Sequence, residues 1–570
     1  MKLEATCGTD IYKVGHGPMY RRGTRGVNAN NTPRTDRIYR DKATSFYDGF
    51  LVVAGLQGGV QEIHELWQES FFDKPKAEVI DFYATLMTGV FGSRPLAVAM
   101  MSDLHDIGYL PIEIKALAEG AKVPMGTPVF TITNTIDSAF WLVNYLETIL
   151  SNTTWQPMTN ATIAEEYFAI ADHFRRLTGG DPFSVKVQMH DFSARGMPGM
   201  EAAARSNFPH LWRFIGSDTA ACLPYAVRYY DTPKDSLIMV SVPATEHAVT
   251  SQNILFVEEE LATGTYEFVS DEQFMIHTTM QAKGEDKRLI AEVMFVYELI
   301  TVLVPEGIVS NVSDTYDFWA MVTRGYVYLK DVIMRRQSNG VTPGRLVVRP
   351  DSGDPVKVIC GYNLLDIQKQ EFTGVDADLK TLGYDGVISY GTPYLFSKEG
   401  RVEISVEEAQ GAIETLWKLF DGEVNEKGYK VLNDHIGLIY GDSITTKRAL
   451  EILTKLEKKG FASSCVVFGI GSYTYQCNTR DTFGFAVKAT STTVGEKRIA
   501  IFKAPKTDSK KNSAKGLLFV GKNSDGYFLI NDVSAEMYHS PENMLKTLYG
   551  NGVFFRRTNL AEIRERLENN

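Results

Sequence analysis

Residues 349–355 read RPDSGDP and directly follow the apolar run at residues 345–348. The segment combines an arginine, two carboxylates, a hydroxyl and a glycine. Carboxylates can accept from a ribose diol or hold Mg²⁺, glycine lets the backbone approach a ligand, and arginine forks onto planar or phosphoryl groups. The set therefore suits a sugar phosphate. Because Asp, Ser, Gly and Pro also form turns, the segment taken alone is more typical of a surface turn.

Glycine-rich segments follow the next two apolar runs, at residues 441–443 (GDS) and 469–472 (GIGS). Loops after late strands of β/α barrels often bind phosphate through backbone N–H groups. Glycine after a strand is also ordinary punctuation, so the pair is more persuasive than either segment alone. Side-chain charge for a diphosphate could come from Arg480, Lys488, Lys503 and Lys511. Isolated lysines, however, are usually only solvated surface.

His247 ends the segment VPATEH at residues 242–247, which continues an apolar run. A lone histidine is more often structural than catalytic. The sequence has no His-Glu-x-x-His pair or comparable ligand spacing, so we do not expect tightly bound zinc or iron. A hard cation that arrives with a phosphorylated substrate is compatible with the sequence.

Short apolar runs recur between residues 185 and 470, each followed by a polar or glycine-rich cluster. The runs are residues 185–189, 236–242, 307–312, 345–348, 436–440 and 464–468. Short buried strands that end in functional loops are typical of a β/α barrel, whose chemistry lies at the carboxyl ends of the strands. Because the spacing is uneven, we predict an α/β fold with an irregular β/α barrel over residues 181–480.

Helices are predicted at residues 445–459, with one apolar face and lysines in the last turn, and at residues 406–420. The second helix begins with Ser405 and Glu408 in capping-box spacing. Residues 1–180 mix helical and extended segments, and residues 497–531 resemble strands around a turn at 523–526. We therefore predict a second, discontinuous α+β domain formed by residues 1–180 and 481–570.

The chain has 570 residues, is 44% hydrophobic and 23% charged, and carries a formal net charge of -11. An acidic balance argues against nucleic acid or an anionic membrane as a partner. Five scattered cysteines without a Cys-x-x-Cys pair predict neither a disulfide framework nor a zinc site and favour the reducing cytoplasm. The first residues show no apolar signal region, and the most apolar stretch, 293–305, is interrupted by Glu298. We therefore expect no membrane segment.

Several motifs, spread over nearly the whole chain, together form a specific pattern. They are residues 9–14 (TDIYKV), 190–196 (HDFSARG), 216–219 (GSDT), 241–247 (SVPATEH), 312–317 (VSDTYD), 349–353 (RPDSG), 441–442 (GD) and 479–481 (TRD). In their order along the chain and in their combination, they resemble the motifs of nicotinamide phosphoribosyltransferases. The resemblance implies a type II phosphoribosyltransferase-like fold. It also implies an enzyme of NAD salvage that condenses nicotinamide with 5-phosphoribosyl 1-diphosphate to give nicotinamide mononucleotide and diphosphate.

The resemblance also implies how the base is held. The pyridine ring would stack between Phe192 of one subunit and Tyr12 of the partner subunit, in a homodimer with shared active sites. The carboxamide would meet Asp218, the acceptor in the motif 216–219. Ser310 and Arg349 are expected nearby, and Ser241 is expected to bind substrate.

The phosphorylated substrates would occupy the remaining motif positions. Asp314 and Asp351 would hold the ribose and its Mg²⁺. His247 matches a histidine that the family phosphorylates to couple synthesis to ATP hydrolysis. The expected catalytic set is thus His247, Asp314, Arg349 and Asp351. Ribose and phosphate contacts are expected from Arg195, Gly441, Asp442, Gly471 and Ser472 and, from the partner subunit, from Arg34, Arg480 and Lys488. Lys503 and Lys511 are expected to contact ATP or phosphate.

The sequence departs from the family pattern in three places. Ala486 stands where the family usually carries a serine, so one hydroxyl contact to phosphate is missing. The glycine run at residues 469–472 is shorter than in the family. The stretch between residues 356 and 434 is longer, which predicts an insertion near residues 361–404.

Two other functions compete with this interpretation. A nicotinate phosphoribosyltransferase would share the fold and the donor, but a carboxylate at Asp218 should repel the acid. A non-catalytic binding protein could use the same scaffold. Such a protein would have no need to keep His247, Asp314, Arg349 and Asp351 together.

Overall fold

A computed structural model describes residues 3–369, 373–441, 443–502 and 514–569. One antiparallel sheet of seven strands joins sequence from both ends of the chain. In spatial order its strands are Lys497–Ala500, Ala486–Val494, Thr24–Thr32, Phe130–Asn134, Ile112–Ala116, Lys546–Gly550 and Val553–Phe554. The long pairing between Thr24–Thr32 and Ala486–Val494 is the main connection between the two ends of the chain.

A second sheet, the parallel sheet, lies within residues 189–470. Its five strands, in spatial order, are Met189–Asp191, Val467–Ile470, Ile436–Tyr440, Arg345–Arg349 and Ile308–Val312. All four pairings are parallel. Isolated parallel bridges connect its two edges through the segments at 216–217 and 240–244: Asp191 with Ser217, Gly216 with Val240, and Ala244 with Ser310.

Three of the six apolar runs form strands of the parallel sheet as predicted. The run at residues 464–468 does so only from Val467, because Ser463–Cys465 is a 3₁₀ helix, and the other two runs do not form such strands. The prediction of a strand at residues 185–189 is wrong, because Pro182–Gln188 is a helix and extended backbone begins only at Met189. Asp181 caps this helix by accepting from the Phe183 N–H, and Pro182 at the first position favours it. The run at residues 236–242 forms only the isolated bridge at Val240.

Helices surround both sheets, and the longest, Glu147–Thr178, contributes many buried side chains between them. The helices before it are His16–Met19, Arg37–Arg40, Leu56–Trp67, Lys76–Phe91, Pro95–Ile107 and Leu142–Tyr145. The later helices up to residue 334 are Pro182–Gln188, Met200–Asn207, Cys222–Tyr229, His247–Thr263, Asp271–Ala282, Lys287–Glu298, Phe318–Ala320 and Tyr326–Met334. The remainder are Pro355–Cys360, Asp376–Thr381, Val406–Gln410, Ala412–Leu419, Thr446–Lys458, Ser472–Gln476, Ala535–His539 and Leu560–Glu568.

The predicted helices have different outcomes. Thr446–Lys458 is confirmed, with the Thr445 side chain capping it by accepting from the Arg448 N–H. The single helix predicted at 406–420 is wrong, since Gly411, with a φ of 87°, separates two helices. A Cβ on Gly411 would lie 2.3 Å from the Gly361 nitrogen, so this close crossing requires glycine. The hairpin predicted around residues 523–526 is confirmed by the paired strands Phe519–Asn523 and Gly526–Ile530.

The segment near residues 361–404 forms a small sheet of its own. Its strands, in spatial order, are Arg401–Glu403, Thr392–Phe396, Gly386–Ser389 and Leu364–Asp366. Leu365, Leu379 and Val387 form a separate small core. The other short pairs in the protein are Phe50–Val52 with Lys122–Pro124 and Glu423–Val424 with Lys430–Val431.

Helix length and apolar content together decide whether a helix can cross a bilayer. Within the described ranges, every helix is too short or too polar to do so.

Candidate active site

Eight of the predicted site residues lie at the carboxyl ends of the parallel strands or in the loops that follow them. Phe192 and Arg195 follow Met189–Asp191, Asp314 follows Ile308–Val312, and Asp351 follows Arg345–Arg349. Gly441 follows Ile436–Tyr440, and Gly471 and Ser472 follow Val467–Ile470. Because parallel strands end at one edge, residues far apart in sequence meet there.

Asp218 is held by donors from two different segments. Its carboxylate accepts hydrogen bonds from the Ser241 hydroxyl at 2.5 Å and from His190 Nε2 at 3.1 Å. Partial burial alone would raise the pKa of Asp218, but these hydrogen bonds and the positive charge of Arg349 outweigh it and lower the pKa. The carboxylate is therefore ionised at neutral pH, and its side chain remains 46% exposed.

His190 is a site residue to which we assigned no role from the sequence. Its ring lies 4.6 Å from the Phe192 ring, centroid to centroid, at an interplanar angle of 33°. A Cβ on Gly216 would lie 2.8 Å from His190 Nδ1, and a Cβ on Gly469 would lie 2.7 Å from Phe192 Cδ2. Two glycines from other segments of the chain thus leave room for these rings. The sequence around His190 and Phe192 alone could not reveal this.

Asp314, Asp351 and His247 form a second group of side chains. His247 Nε2 lies 3.7 Å from Asp314 Oδ1 and 3.8 Å from Asp351 Oδ2, while His247 Nδ1 lies 3.2 Å from the Thr315 hydroxyl. Asp314 Oδ2 accepts from the backbone N–H groups of Asp351 and Ser352 at 2.9 and 2.7 Å and from the Ser352 hydroxyl at 2.6 Å. One carboxylate therefore orders the loop that carries the other.

Several predicted site residues bury polar atoms that have no hydrogen-bond partner among the described residues. These atoms are Ser310 Oγ, Asp314 Oδ1 and Arg349 Nε. A buried polar atom without a partner costs about 1–3 kcal/mol and is rare in native structures. Because such atoms also occur elsewhere in the described residues, these three are candidates for contact with a polar ligand and not evidence of one.

Glu292, on the helix Lys287–Glu298, is a further residue that sequence reasoning missed. Its side chain is buried, and Oε1 has no partner in the described part of the chain. Burial, and then the charges of Asp317 and Asp314, raise the pKa of Glu292 to about 8. This carboxyl is therefore mainly neutral at pH 7, which limits the negative charge next to Asp314.

The glycine-rich segments hold the loops close together. A Cβ on Gly441 would lie 2.4 Å from Asp351 Oδ1, and a Cβ on Gly196 would lie 2.0 Å from the Ser472 hydroxyl. Gly471 precedes the short helix Ser472–Gln476. Asp442, Lys503 and Lys511 lie outside the described residues.

The remaining basic residues, with Tyr12, form a separate exposed group. Lys488 Nζ lies 3.1 Å from Glu147 Oε1, and Lys13, next to Tyr12, lies 3.3 Å from Glu147 Oε2. Arg34 Nε donates to the Gly484 carbonyl, and Arg480 pairs with Asp481. Among the described residues, no hydrogen bond or ion pair of Tyr12, Arg34, Arg480 or Lys488 reaches the group around Asp218 and His247. Within one chain, these parts of the predicted site are not brought into contact.

Oxygen ligands for a hard cation are present, but a complete cage is not. Mg²⁺ usually takes one or two protein carboxylates and completes its shell with water and substrate phosphates. Asp314 Oδ1 and the Asp351 carboxylate could provide this contribution. Over the described ranges, no group of three or more His, Cys, Asp or Glu side chains could hold a metal ion. The residues fit Mg²⁺ that arrives with a phosphorylated substrate better than a resident metal.

Comparison with known proteins identifies relatives over almost the entire chain. The model of the nicotinate phosphoribosyltransferase (NAPRTase) family matches residues 187–552. A nicotinamide phosphoribosyltransferase of Acinetobacter baylyi is 41% identical over 98% of this chain and 96% of its own length. One of Xanthomonas campestris is 30% identical over the same shares of the two chains.

Solved structures show the similarity of the fold. The human nicotinic acid phosphoribosyltransferase matches with a TM-score of 0.52 at 15% identity, over 98% of this chain and 93% of the human chain. At this identity the likeness concerns the fold alone, and it confirms the predicted α/β class.

Proposed function

The chain belongs to the nicotinate phosphoribosyltransferase family, and from this premise we propose that it condenses nicotinamide with 5-phosphoribosyl 1-diphosphate. The products are nicotinamide mononucleotide and diphosphate, and the reaction serves NAD salvage. Relatives with 41% and 30% identity carry the name nicotinamide phosphoribosyltransferase. The observation that carries the choice of base is the ionised Asp218 carboxylate beside the Phe192 and His190 rings.

Asp218 selects the amide through its charge. A carboxylate has about four lone-pair positions, and Ser241 and His190 fill two of them. Asp218 can therefore still accept from the carboxamide NH₂, whereas nicotinate has no donor at this position and repels the charge. The unpartnered Ser310 hydroxyl and Arg349 Nε could donate to the carboxamide oxygen.

The reaction itself needs orientation and charge stabilisation more than covalent chemistry. Stacking on Phe192 would aim the ring nitrogen at the anomeric carbon of the ribose. The Asp351 carboxylate could accept hydrogen bonds from the two ribose hydroxyl groups. As the bond to diphosphate weakens, positive charge develops on the sugar and negative charge on the leaving group. Asp314 and Asp351 would hold Mg²⁺ here, and when bound it would supply positive charge for the diphosphate.

The exposed basic group supports a homodimer with shared active sites. A phosphate site needs positive charge, yet Tyr12, Arg34, Arg480 and Lys488 have no described contact with the base site of their own chain. We propose that Tyr12 of the partner subunit covers the open face of Phe192. The basic side chains would then bind the phosphates together with Arg195, Gly471 and Ser472.

We further propose that ATP phosphorylates His247. The γ-phosphoryl group would transfer to Nε2 with ADP as the leaving group, and water would later release inorganic phosphate. Nε2 faces the Asp314 and Asp351 carboxylates, while Nδ1 faces the Thr315 hydroxyl. A phosphoryl group on Nε2 would meet two carboxylates, so Mg²⁺ would be required to offset the repulsion. Asp442, Lys503 and Lys511 complete the proposed phosphate and nucleotide contacts.

The domain division is also a proposal. The three isolated bridges support closure of the parallel sheet into an irregular β/α barrel over residues 181–480. The antiparallel sheet, with strands from both ends of the chain, supports a discontinuous α+β domain of residues 1–180 and 481–570. The separate small core supports an insertion near residues 361–404. Free cysteines in the described part of the chain are compatible with a cytoplasmic location.

A turnover assay tests the function. Purified protein is incubated with 5-phosphoribosyl 1-diphosphate, Mg²⁺ and either nicotinamide or nicotinate, with and without ATP, and the mononucleotide is identified. We expect nicotinamide mononucleotide, with more product when ATP is present. Preferential formation of nicotinate mononucleotide would favour the acid-specific alternative, and binding of nicotinamide without turnover would favour a non-catalytic protein.

A further inference from the structure

Asp191 ends the strand Met189–Asp191, directly before Phe192, and its side chain is 0% exposed. We propose that Asp191 is a positioning residue that fixes Phe192 and Asp218 relative to each other. It would thereby determine the preference for nicotinamide over nicotinate. This inference rests on the proposed function, because it takes Phe192 and Asp218 as the contacts of the base.

The Asp191 carboxylate accepts hydrogen bonds from both segments that carry these contacts. Oδ1 accepts from the Ser193 backbone N–H at 3.0 Å and from the Ser193 hydroxyl at 2.5 Å. Oδ2 accepts from the Ser217 hydroxyl at 3.1 Å and from the Thr219 hydroxyl at 2.6 Å. One oxygen therefore holds the residue after Phe192, and the other holds the residues on both sides of Asp218.

The hydrogen-bond directions in this network require a carboxylate at its centre. Asn207 Nδ2 donates to the hydroxyls of Ser193 at 2.7 Å and Thr219 at 3.4 Å, and the Thr219 backbone N–H donates to the Ser217 hydroxyl at 3.0 Å. Each hydroxyl thus accepts from one group and donates its own proton to Asp191. Asn207 and the three hydroxyl residues are 0% exposed, so bulk water cannot replace a lost acceptor.

The main chain joins the same two segments. The Asp191 N–H donates to the Gly216 carbonyl at 3.1 Å, and the Asp218 N–H donates to the Asp191 carbonyl at 2.9 Å. Further backbone bonds hold each turn separately: the Phe192 N–H donates to the Ile470 carbonyl at 3.0 Å, and the Ala220 N–H donates to the Asp218 carbonyl at 2.9 Å. The Asp191 side chain adds bonds to both turns at once, and we infer that these bonds set the angle between the Phe192 ring and the Asp218 carboxylate.

The two arms of the network should have different effects on the two bases. Nicotinamide and nicotinate share the pyridine ring, so displacement of Phe192 weakens stacking of both. They differ at the group that meets Asp218, so displacement of Asp218 changes the discrimination between them. A merely structural role for Asp191 would not separate the arms in this way.

The test uses one variant for each arm. Thr219→Val keeps the side-chain shape and removes one donor beside Asp218, while Ser193→Ala removes the hydroxyl beside Phe192. For Thr219→Val, we expect the ratio of kcat/KM for nicotinamide to that for nicotinate to fall about tenfold, with kcat within about threefold. For Ser193→Ala, we expect KM for both bases to rise by a similar factor, with the ratio within about twofold of the parent. Asp191→Asn should combine both effects.

Glu119→Gln serves as the matched control. Glu119 is likewise a buried carboxylate, 4% exposed, and accepts from the backbone N–H groups of Gly55 and Gln57 at 2.9 and 2.7 Å. Denaturant unfolding of every variant identifies proteins that are folded at the assay temperature. Glu119→Gln should leave the ratio unchanged.

Two results would overturn the inference: a parent-like ratio in folded Thr219→Val, or equal changes of the ratio in Thr219→Val and Ser193→Ala. If Asp191→Asn does not fold, the two single-arm variants still decide. A parent protein that makes no nicotinamide mononucleotide would refute the proposed function instead. An active parent with unchanged ratios in the variants would refute only the positioning role.

Discussion

Replacement of Asp218 by asparagine isolates the charge that we hold responsible for base selection. Asparagine keeps the size of the side chain and an oxygen that can accept from Ser241 or from the carboxamide. Two unit charges 4 Å apart repel by about 1 kcal/mol in water and by about 4 kcal/mol at an effective dielectric constant of 20. Because the Asp218 side chain is 46% exposed, we expect an intermediate repulsion of about 2 kcal/mol against bound nicotinate.

This repulsion converts to measurable rates. Its removal should raise kcat/KM for nicotinate about 30-fold. Nicotinamide exchanges a charged acceptor for a neutral one, which costs about 1 kcal/mol, or about a fivefold loss of kcat/KM. The ratio of the two kcat/KM values should therefore shift by about 150-fold towards nicotinate. A fully dry site would give a larger shift, so the exposure of Asp218 limits the selectivity that one chain can provide.

The assay measures mononucleotide formation from each base under identical concentrations of 5-phosphoribosyl 1-diphosphate and Mg²⁺. Asp434→Asn provides the control, because it removes the same charge from the opposite end of the strand Ile436–Tyr440, where Asp434 pairs with Arg345. The control should retain the parent ratio. If Asp218→Asn is folded and active but also keeps the parent ratio, Asp218 does not select the base.

Three further perturbations address the dimer, the ATP coupling and stability. The Tyr12→Ala and Asp351→Ala proteins should each be nearly inactive, and mixing them so that their subunits exchange should restore part of the activity. If exchange is demonstrated but no activity returns, Tyr12 does not belong to a shared site. His247→Ala should abolish substrate-stimulated ATP hydrolysis while some ATP-independent synthesis persists, and hydrolysis at the parent rate would contradict the relay. Burial raises the pKa of Glu119 from 4.5 to about 7, so between these pH values the folded protein keeps a proton that the unfolded chain loses. The free energy of unfolding should therefore fall by roughly 3 kcal/mol as the pH rises from 4.5 to 7. Urea unfolding of Glu119→Gln should lack this fall between pH 4.5 and 7, and an unchanged pH profile would argue against the raised pKa.

Apolar runs flanked by turn residues predict strands in most cases but not in all. The runs at residues 307–312, 345–348 and 436–440 form strands of the parallel sheet, the run at 464–468 does so from Val467, and the run at 236–242 forms only an isolated bridge. At residues 185–189, a cap and a proline upstream favour a helix. Tertiary contact also explains why the helix predicted at residues 406–420 is interrupted at Gly411. The close approach of Gly411 to Gly361 cannot be predicted from either local sequence.

The candidate site shows the same division between local and long-range information. Asp314 and Asp351 stand in motifs that a sequence reveals, and the structure joins them through the loop hydrogen bonds to Asp314 Oδ2. No role was predicted for His190 or Glu292. The motif at residues 190–196 contains His190 but does not show what its ring contacts, and a glutamate on an apolar helix gives no local signal. Their significance arises from neighbours that are distant in sequence, Asp218 for the first and Asp314 for the second.

The charges of the site constrain the proposed chemistry. In the proposed function, a phosphate ester would meet ionised Asp218 on the base side and Asp314 and Asp351 on the ribose side, with Arg349 as a nearby positive charge. The neutral form of Glu292 reduces this repulsion but supplies no positive charge. Within the described part of one chain, Tyr12 and the basic residues Arg34, Arg480 and Lys488 make no contact with this region. In the proposed function, Mg²⁺ bound with 5-phosphoribosyl 1-diphosphate and basic side chains of a partner subunit would add to the positive charge that Arg349 already supplies here.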